Sequence, residues 1–411
     1  MNSLSNEAGS FWLSAEDAAA LLAVRRSSLY SYVSRGLLRA QKKPGERGSR
    51  YLQSDVLRLA RQRQAVRNPA SLAQSTLDWG QPVLPSSITL VQDGHLYYRG
   101  RNAVQWAKHA TLEQTAKWLW QGFEVTEPPH VKSGAAATGF TSEASSGLPT
   151  LESIQAAWHL QAHTDNPPTL LHAMCTALLG TPRRDASQAI HERLQAHWDL
   201  DTEAADTLRH ALVLCADHEL NASSFAVRVV ASTGASLQAC VGAGLAALSG
   251  PLHGGVTQQI DQQWDEWHSH SAIAPSLAAL LQHTQRDSAP QFRAGFGHPL
   301  YPHGDPRSEA LLQHLPPASQ RQCLLDKVYK HTGLRPSLDY ALVAIQRTLC
   351  LPSGTAFLLF ALGRTAGWIA HALEQRASGQ LIRPRAVYVG SAPQAPASAH
   401  TSTSGRMIRF R

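Results

Sequence analysis

Four short segments of this 411-residue chain carry side chains suited to chemistry on acidic substrates. Ala216-Asp217-His218-Glu219-Leu220-Asn221-Ala222-Ser223 is polar and charged between two apolar stretches. Gly250-Pro251-Leu252-His253-Gly254-Gly255 sets a histidine in a turn. Gly295-Phe296-Gly297-His298-Pro299-Leu300-Tyr301 runs on to Asp305-Pro306-Arg307. The fourth joins Arg335-Pro336-Ser337-Leu338-Asp339 to Gly363-Arg364-Thr365-Ala366-Gly367-Trp368-Ile369-Ala370-His371 and Ile382-Arg383-Pro384-Arg385. Glycine beside a histidine lets backbone approach a ligand. An arginine inside an apolar helix requires an anionic partner once buried. Two histidines, an aspartate and several arginines suit proton abstraction next to a carbonyl on a carboxylate-bearing substrate. The aspartate takes the proton and a neutral imidazole steadies the developing enolate.

Competing motifs fail. His191-Glu192 followed by His197 lacks the i, i+4 spacing of a zinc helix. No phosphate-binding Gly-x-x-x-x-Gly-Lys-Ser/Thr and no Gly-x-Ser-x-Gly elbow is present. Cys175, Cys215, Cys240, Cys323 and Cys350 are odd in number and scattered, which argues against a disulfide framework or thiolate zinc. No metal and no cofactor is expected. Met1–Glu7 lacks the basic and apolar regions of a signal peptide. Two apolar stretches, 225–248 and 354–374, are interrupted by Arg228 and Arg364 and rich in alanine and glycine. They read as core helices rather than membrane spans, so a soluble cytoplasmic protein is expected.

The elements that must position these residues read as mainly α. Segments 152–164, 204–220, 224–249, 274–284, 307–315, 337–349 and 355–377 carry helical apolar spacing. Gly234, Gly242 and Gly244 cost helix propensity within 231–249 and imply close packing on several sides. Ile88–Val91 and Leu96–Arg99 around Asp93-Gly94 spell a hairpin. Residues 131–150 read as a flexible insertion and 391–411 as a disordered tail.

Charge divides the chain. The formal net charge is +7, and residues 1–70 hold 12 basic and 5 acidic side chains, which accounts for all of it. The remainder is balanced, so a uniformly basic nucleic-acid-coating protein is excluded. Within the basic stretch, Ser14 and Asp17 form a capping pair opening a helix over Ala15–Leu22, followed by a second from Ser27 to Arg35. Leu29, Tyr32 and Val33 share the inner face of the second, leaving Arg25, Arg26, Ser28, Tyr30 and Ser31 outside. Lys42, Lys43, Pro44, Gly45, Arg47, Gly48 and Arg50 form a basic hairpin, and a third helix runs from Asp55 through Arg63. This plan resembles the MerR/excisionase-type winged helix-turn-helix over residues 11–67. The resemblance implies DNA as a partner, with Arg26, Ser28 and Tyr30 facing bases, Arg25 beside them, and wing residues Arg47 and Arg50 on phosphates.

The four chemical segments, in this order and spacing, resemble the citrate synthase family from about residue 76 to 390. That resemblance implies an almost wholly helical homodimer, fused behind the winged helix-turn-helix of residues 1–70. The large domain would be 71–254 and 351–390, and the small domain 255–350 would close over substrate. It implies His253, His298 and Asp339 as the catalytic trio. Asp339 would remove a methyl proton from acetyl-CoA, His253 would hold the enol oxygen, and His298 would polarise the oxaloacetate carbonyl. His218, Arg307 and Arg364 would hold the oxaloacetate carboxylates, with Arg383 reaching across from the partner subunit. Hydrolysis of the citryl thioester would release citrate and CoA; propionyl-CoA would give 2-methylcitrate. The chain departs from the family at Pro336-Ser337-Leu338-Asp339, and at Pro299 and Pro302 where basic residues are usual. A second reading keeps the fold as a metabolite-sensing, DNA-binding regulator with weak catalysis.

Overall fold

The computed structural model describes residues 12–35, 37–38, 40–42, 48–52, 55–56, 59–60, 84–123, 148, 151–160, 164–181, 187–269, 272–286, 295–386 and 390–391. The chain separates into two compact units, residues 1–83 with 384–411 and residues 84–383. The insertion at 131–150, apart from Leu148, and the tail from 392 onward lie outside the described residues.

In the smaller unit, strand β1 (Trp12–Leu13) precedes helices α1 (Ala15–Leu21) and α2 (Arg26–Ser34), then strands β2 (Ala40–Lys42) and β3 (Ser49–Leu52). β3 is the middle strand and pairs antiparallel with both others. The Ser14 hydroxyl accepts the Asp17 N–H at 3.1 Å, which starts α1 as its spacing required. Ala18, Leu22, Leu29, Leu38, Tyr51, Val56 and Leu59 bury into one small core. Residues 55–56 and 59–60 are helical. The hairpin expected at 42–50 is present as β2 and β3, while its tip, Arg47 included, lies outside the described residues.

The larger unit opens with strands β4 (Thr89–Gln92), β5 (His95–Tyr98) and β6 (Arg101–Asn102), an antiparallel sheet in sequence order. Asp93 and Gly94 both take positive φ at the β4–β5 turn, which is why that dipeptide marked the hairpin. Helices follow: α3 (Ala103–Ala107), α4 (Leu112–Leu119), α5 (Leu151–Leu160), α6 (Pro167–Leu179), α7 (Ile190–Trp198) and α8 (Thr202–Cys215). Next are α9 (Ala222–Ser232), α10 (Leu237–Leu248), α11 (Val256–Ser269), α12 (Pro275–Arg286), α13 (Pro306–His314), α14 (Ser319–Thr332), α15 (Leu338–Thr348) and α16 (Thr355–Ser378).

α16 is the axis of this unit, packing against α4, α6, α8, α9, α10, α11 and α15. It is long and apolar enough to cross a membrane by length and composition, yet 94% of its apolar window is buried inside the protein. The single helix expected over 224–249 is two. Gly234 takes φ +81, and Ser236 caps a fresh helix by accepting the Ala239 N–H. The expected close packing holds at Gly244, where an added Cβ would lie 2.7 Å from the Trp368 ring. The helix expected over 204–220 stops at Cys215, which frees Ala216–Asn221 as a connecting loop.

Candidate active site

Helix ends converge on one interior cleft. α8 delivers the loop carrying Asp217 and His218, and α13 carries Arg307 in its first turn. α15 carries Asp339 in its first turn, and α16 carries Arg364 mid-length. Glycines make the approach possible. A Cβ on Gly363 would stand 2.6 Å from the Leu212 carbonyl, and one on Gly367 would stand 2.4 Å from the Ala216 carbonyl. Instead the Gly367 N–H donates to that carbonyl at 2.9 Å. α16 therefore touches the end of α8, with Arg364 Nε donating to Cys215 O at 2.9 Å.

Two loops are locked in register. Gly297 N–H donates to Arg335 O at 2.7 Å, and Ser337 N–H donates to Gly295 O at 2.8 Å. These bonds tie the His298 loop to the Asp339 loop across the Phe296–Pro336 bridge. Gly295 and Gly297 both take positive φ, and a Cβ at Gly295 would meet Ile260 at 2.6 Å. Asp305 reinforces the junction, since its carboxylate forks Arg307 at 2.9 and 2.7 Å and also accepts the Leu338 N–H.

Hydrogen bonding places one imidazole proton. Leu300 N–H donates to His298 Nδ1 at 3.2 Å, so the neutral ring carries its proton on Nε2. His253 Nε2 lies 2.9 Å from Ser223 Oγ, which also accepts the Trp368 indole N–H at 3.1 Å. The Ser223 hydroxyl donates to the Asn221 side-chain oxygen at 2.7 Å, which also accepts the Ser223 and Ser224 N–H groups.

The electrostatics match this assignment. Burial, then Arg364, holds His253 down to about 3, and burial, then Arg307, holds His298 down to about 3. Both rings are uncharged at neutral pH. Burial, with Arg307, Arg364 and neighbouring histidines, also holds His218 well below its ordinary range. Burial pushes the Asp339 carboxyl up to about 6, against the pull of Arg307 and of the Ser337 hydroxyl 3.2 Å away. Asp339 keeps part of its surface open to the cleft although protein surrounds it.

The residues singled out from sequence fall as follows. His218, His298 and Tyr301 form one cluster, with His218 Nε2 2.9 Å from the Tyr301 hydroxyl and 4.9 Å between the two imidazole centres. Arg307 stands 5.5 Å from the Tyr301 ring. Phe360 lies between His253, 5.9 Å from its ring, and the Arg364 guanidinium, 5.0 Å away. Arg364 is 1% exposed and, among the described residues, pairs with no carboxylate. Arg383 is not gathered into this cluster; it is exposed in the segment after α16. On α2, Arg25, Arg26 and Tyr30 are exposed, Ser28 is half-buried, and Arg26 is held at 3.0 Å by Glu16. Arg50 lies on β3.

Ser223, Asn221, Tyr301, Asp305 and Trp368 were not singled out from sequence, although each lies inside or beside a segment that was. His371 and Asp217, both fully buried and 3.3 Å apart, complete the support with Thr89 donating to Asp217.

A family model described as citrate synthase, C-terminal domain, matches residues 150–385, and one described as a helix-turn-helix domain matches residues 12–64. Citrate synthase 2 of Bacillus subtilis is 34% identical over 199 residues, covering 45% of this chain and 51% of that protein. Citrate synthase of Corynebacterium glutamicum is 32% identical over 212 residues, covering 47% and 48%. The chain thus matches about half the length of these curated relatives. The crystal structure of citrate synthase from Thermotoga maritima aligns at a TM-score of 0.62 with 25% identity, over 79% of this chain and 98% of that one. A Thermoplasma acidophilum citrate synthase, solved with carboxymethyl coenzyme A and oxaloacetate, shares the fold at a TM-score of 0.55 and 21% identity, over 80% and 98%.

Proposed function

This chain belongs to the citrate synthase family, and on that premise we propose that its larger unit condenses an acyl-CoA thioester with oxaloacetate. One observation carries the reading. Two neutral imidazoles and a carboxylate raised toward neutrality share one interior with Arg307 and with Arg364, a buried cation that pairs with no carboxylate among the described residues.

Oxaloacetate sits with its carboxylates on Arg364, Arg307 and His218. His298 Nε2–H donates to the keto oxygen and leaves the keto carbon electron-poor. Asp339 removes a proton from the acyl α-carbon, and the His253 imidazole donates a ring N–H to the thioester oxygen as the enol forms. The enol carbon attacks the keto carbon, forming the new carbon–carbon bond, and the keto oxygen takes up a proton. Water then cleaves the thioester, releasing CoA and the tricarboxylate. No step requires a metal or a redox cofactor. Arg383 completes the carboxylate site from the second subunit of a homodimer.

Replacing Arg364 by alanine should remove a buried, charge-assisted contact and weaken oxaloacetate binding by about tenfold or more. Isothermal calorimetry on the full chain reads this directly. Equal affinity in wild type and variant would put the carboxylate elsewhere.

The helix-turn-helix at residues 12–64 supports a second activity, DNA binding. Arg25 and Tyr30 stand clear of the fold on α2, and the excess basic charge lies on this stretch. A chain lacking residues 1–70 should lose any gel shift produced by the full-length protein; a retained shift would place the DNA contact on the larger unit. Joined to a site that binds oxaloacetate, such a module would make the protein a metabolite-responsive regulator in the cytoplasm.

A further inference from the structure

We propose that His210, His314 and Asp206 form a binding site for a divalent late-transition-metal ion that clamps α8 to α13, outside the catalytic cleft. The three side chains present ligand atoms within 4.8 Å of one another. The Nε2 atoms of His210 and His314 lie 3.0 Å apart, from residues 104 apart in sequence. No spacing motif announces the pair, which is why the sequence led to an expectation of no metal.

The separation is informative. An ion about 2.1 Å from each imidazole nitrogen holds a cis pair about 3.0 Å apart at a right angle and about 3.4 Å apart at the tetrahedral angle. With the ring centres 3.9 Å apart and the planes at 65°, both rings must pivot about their side-chain torsions to aim their lone pairs at one ion. The His210 ring also meets the chemical requirement of a neutral lone pair. Burial, then His314, then Arg209 keeps His210 down to about 4. His314 is exposed in the last turn of α13, where the helix dipole favours a cation.

One neighbour opposes the ion. Arg209 donates to Asp206 at 2.7 Å and to His210 Nδ1 at 3.1 Å. An arginine only donates, so without metal His210 carries its proton on Nε2 and passes it toward His314. Metal binding moves that proton to Nδ1, where Asp206 Oδ2, 3.5 Å away, accepts it. Arg209 keeps its bonds to the carbonyls of Ala107, Ala110 and Lys108. Both Nε2 lone pairs are then free for the ion, and no proton leaves the site. Asp206 orients His210 from behind, an arrangement common at histidine metal sites.

The clamp has mechanical consequences. His210 sits on the helix that leads to His218, and His314 ends the helix that carries Arg307 in its first turn. An ion across the pair therefore couples two supports of the cleft without touching it.

The test is titration of the tag-free full chain with Ni2+ by calorimetry near neutral pH, together with thermal unfolding. Wild type should bind one equivalent and unfold at higher temperature with the ion. His314→Ala, an exposed substitution, should weaken that binding by about tenfold or more and abolish the thermal shift. Asp206→Asn should weaken it by roughly tenfold. Equal stoichiometry and affinity in His314→Ala would mean Ni2+ binds other histidines, and the proposal falls. Absence of wild-type binding overturns it as well.

Discussion

Asp339→Asn should lower kcat for condensation by about a thousandfold, within the 10²–10⁴ range of general-base contributions, while leaving oxaloacetate affinity near that of wild type. The substitution keeps shape and removes only the proton acceptor. The fold should not suffer. Burial raises the Asp339 pKa to about 6, so the folded state prefers the protonated side chain. For a group raised in the folded state, the stabilising contribution is present at low pH and is lost as pH rises through the folded value. At neutral pH the ionised carboxylate is therefore a net cost, and the neutral amide should unfold at an equal or higher temperature. Wild-type kcat/KM should fall as pH drops through about 6, where the base becomes protonated. A flat profile there, or normal turnover in Asp339→Asn, would remove this residue as the base.

Gly367→Ala should destabilise the protein by about 3 kcal/mol or leave it insoluble, at the upper end of ordinary overpacking penalties. The added methyl would stand 2.4 Å from both the Ala216 carbonyl and Asp217 Oδ1. Backbone cannot yield there without breaking the bond from Gly367 N–H, which holds α16 against the loop bearing His218. Gly242→Ala on α10 is the comparison, because its methyl would meet the Trp158 ring at 3.3 Å and needs only a small shift. Chemical denaturation of the two variants side by side reads the difference. Equal stability would mean that the contact between α16 and the loop after α8 is not tight.

Much of the fold was legible because its helices alternate apolar and polar faces at helical spacing. One that escaped notice, α11, had a weak signal. α11 reads VTQQIDQQWDEWHS and buries little beyond Val256, Thr257, Ile260, Asp261 and Trp267. Its polar face drowns the stripe. The split between α9 and α10 was legible in Gly234 and Ser236 but was outweighed by continuous apolarity across the junction. Third strands such as β6 are two residues long, too short for a period to register.

The candidate site divides along the same line. Histidines framed by glycine and arginines inside apolar helices stand out by type. Their supports do not. Ser223 reaches His253 from 30 residues away, and Asp305 joins Leu338 from 33 away, through geometry that no local spacing encodes. The His210–His314 pair is the extreme case, two ordinary histidines until α8 and α13 pack.

The most direct test of the central claim is steady-state release of free CoA by the full-length chain, given oxaloacetate with acetyl-CoA or propionyl-CoA. Oxaloacetate-dependent CoA release is expected with at least one of the two thioesters, lost in Asp339→Asn. Tight oxaloacetate binding with no CoA release from either thioester would contradict it.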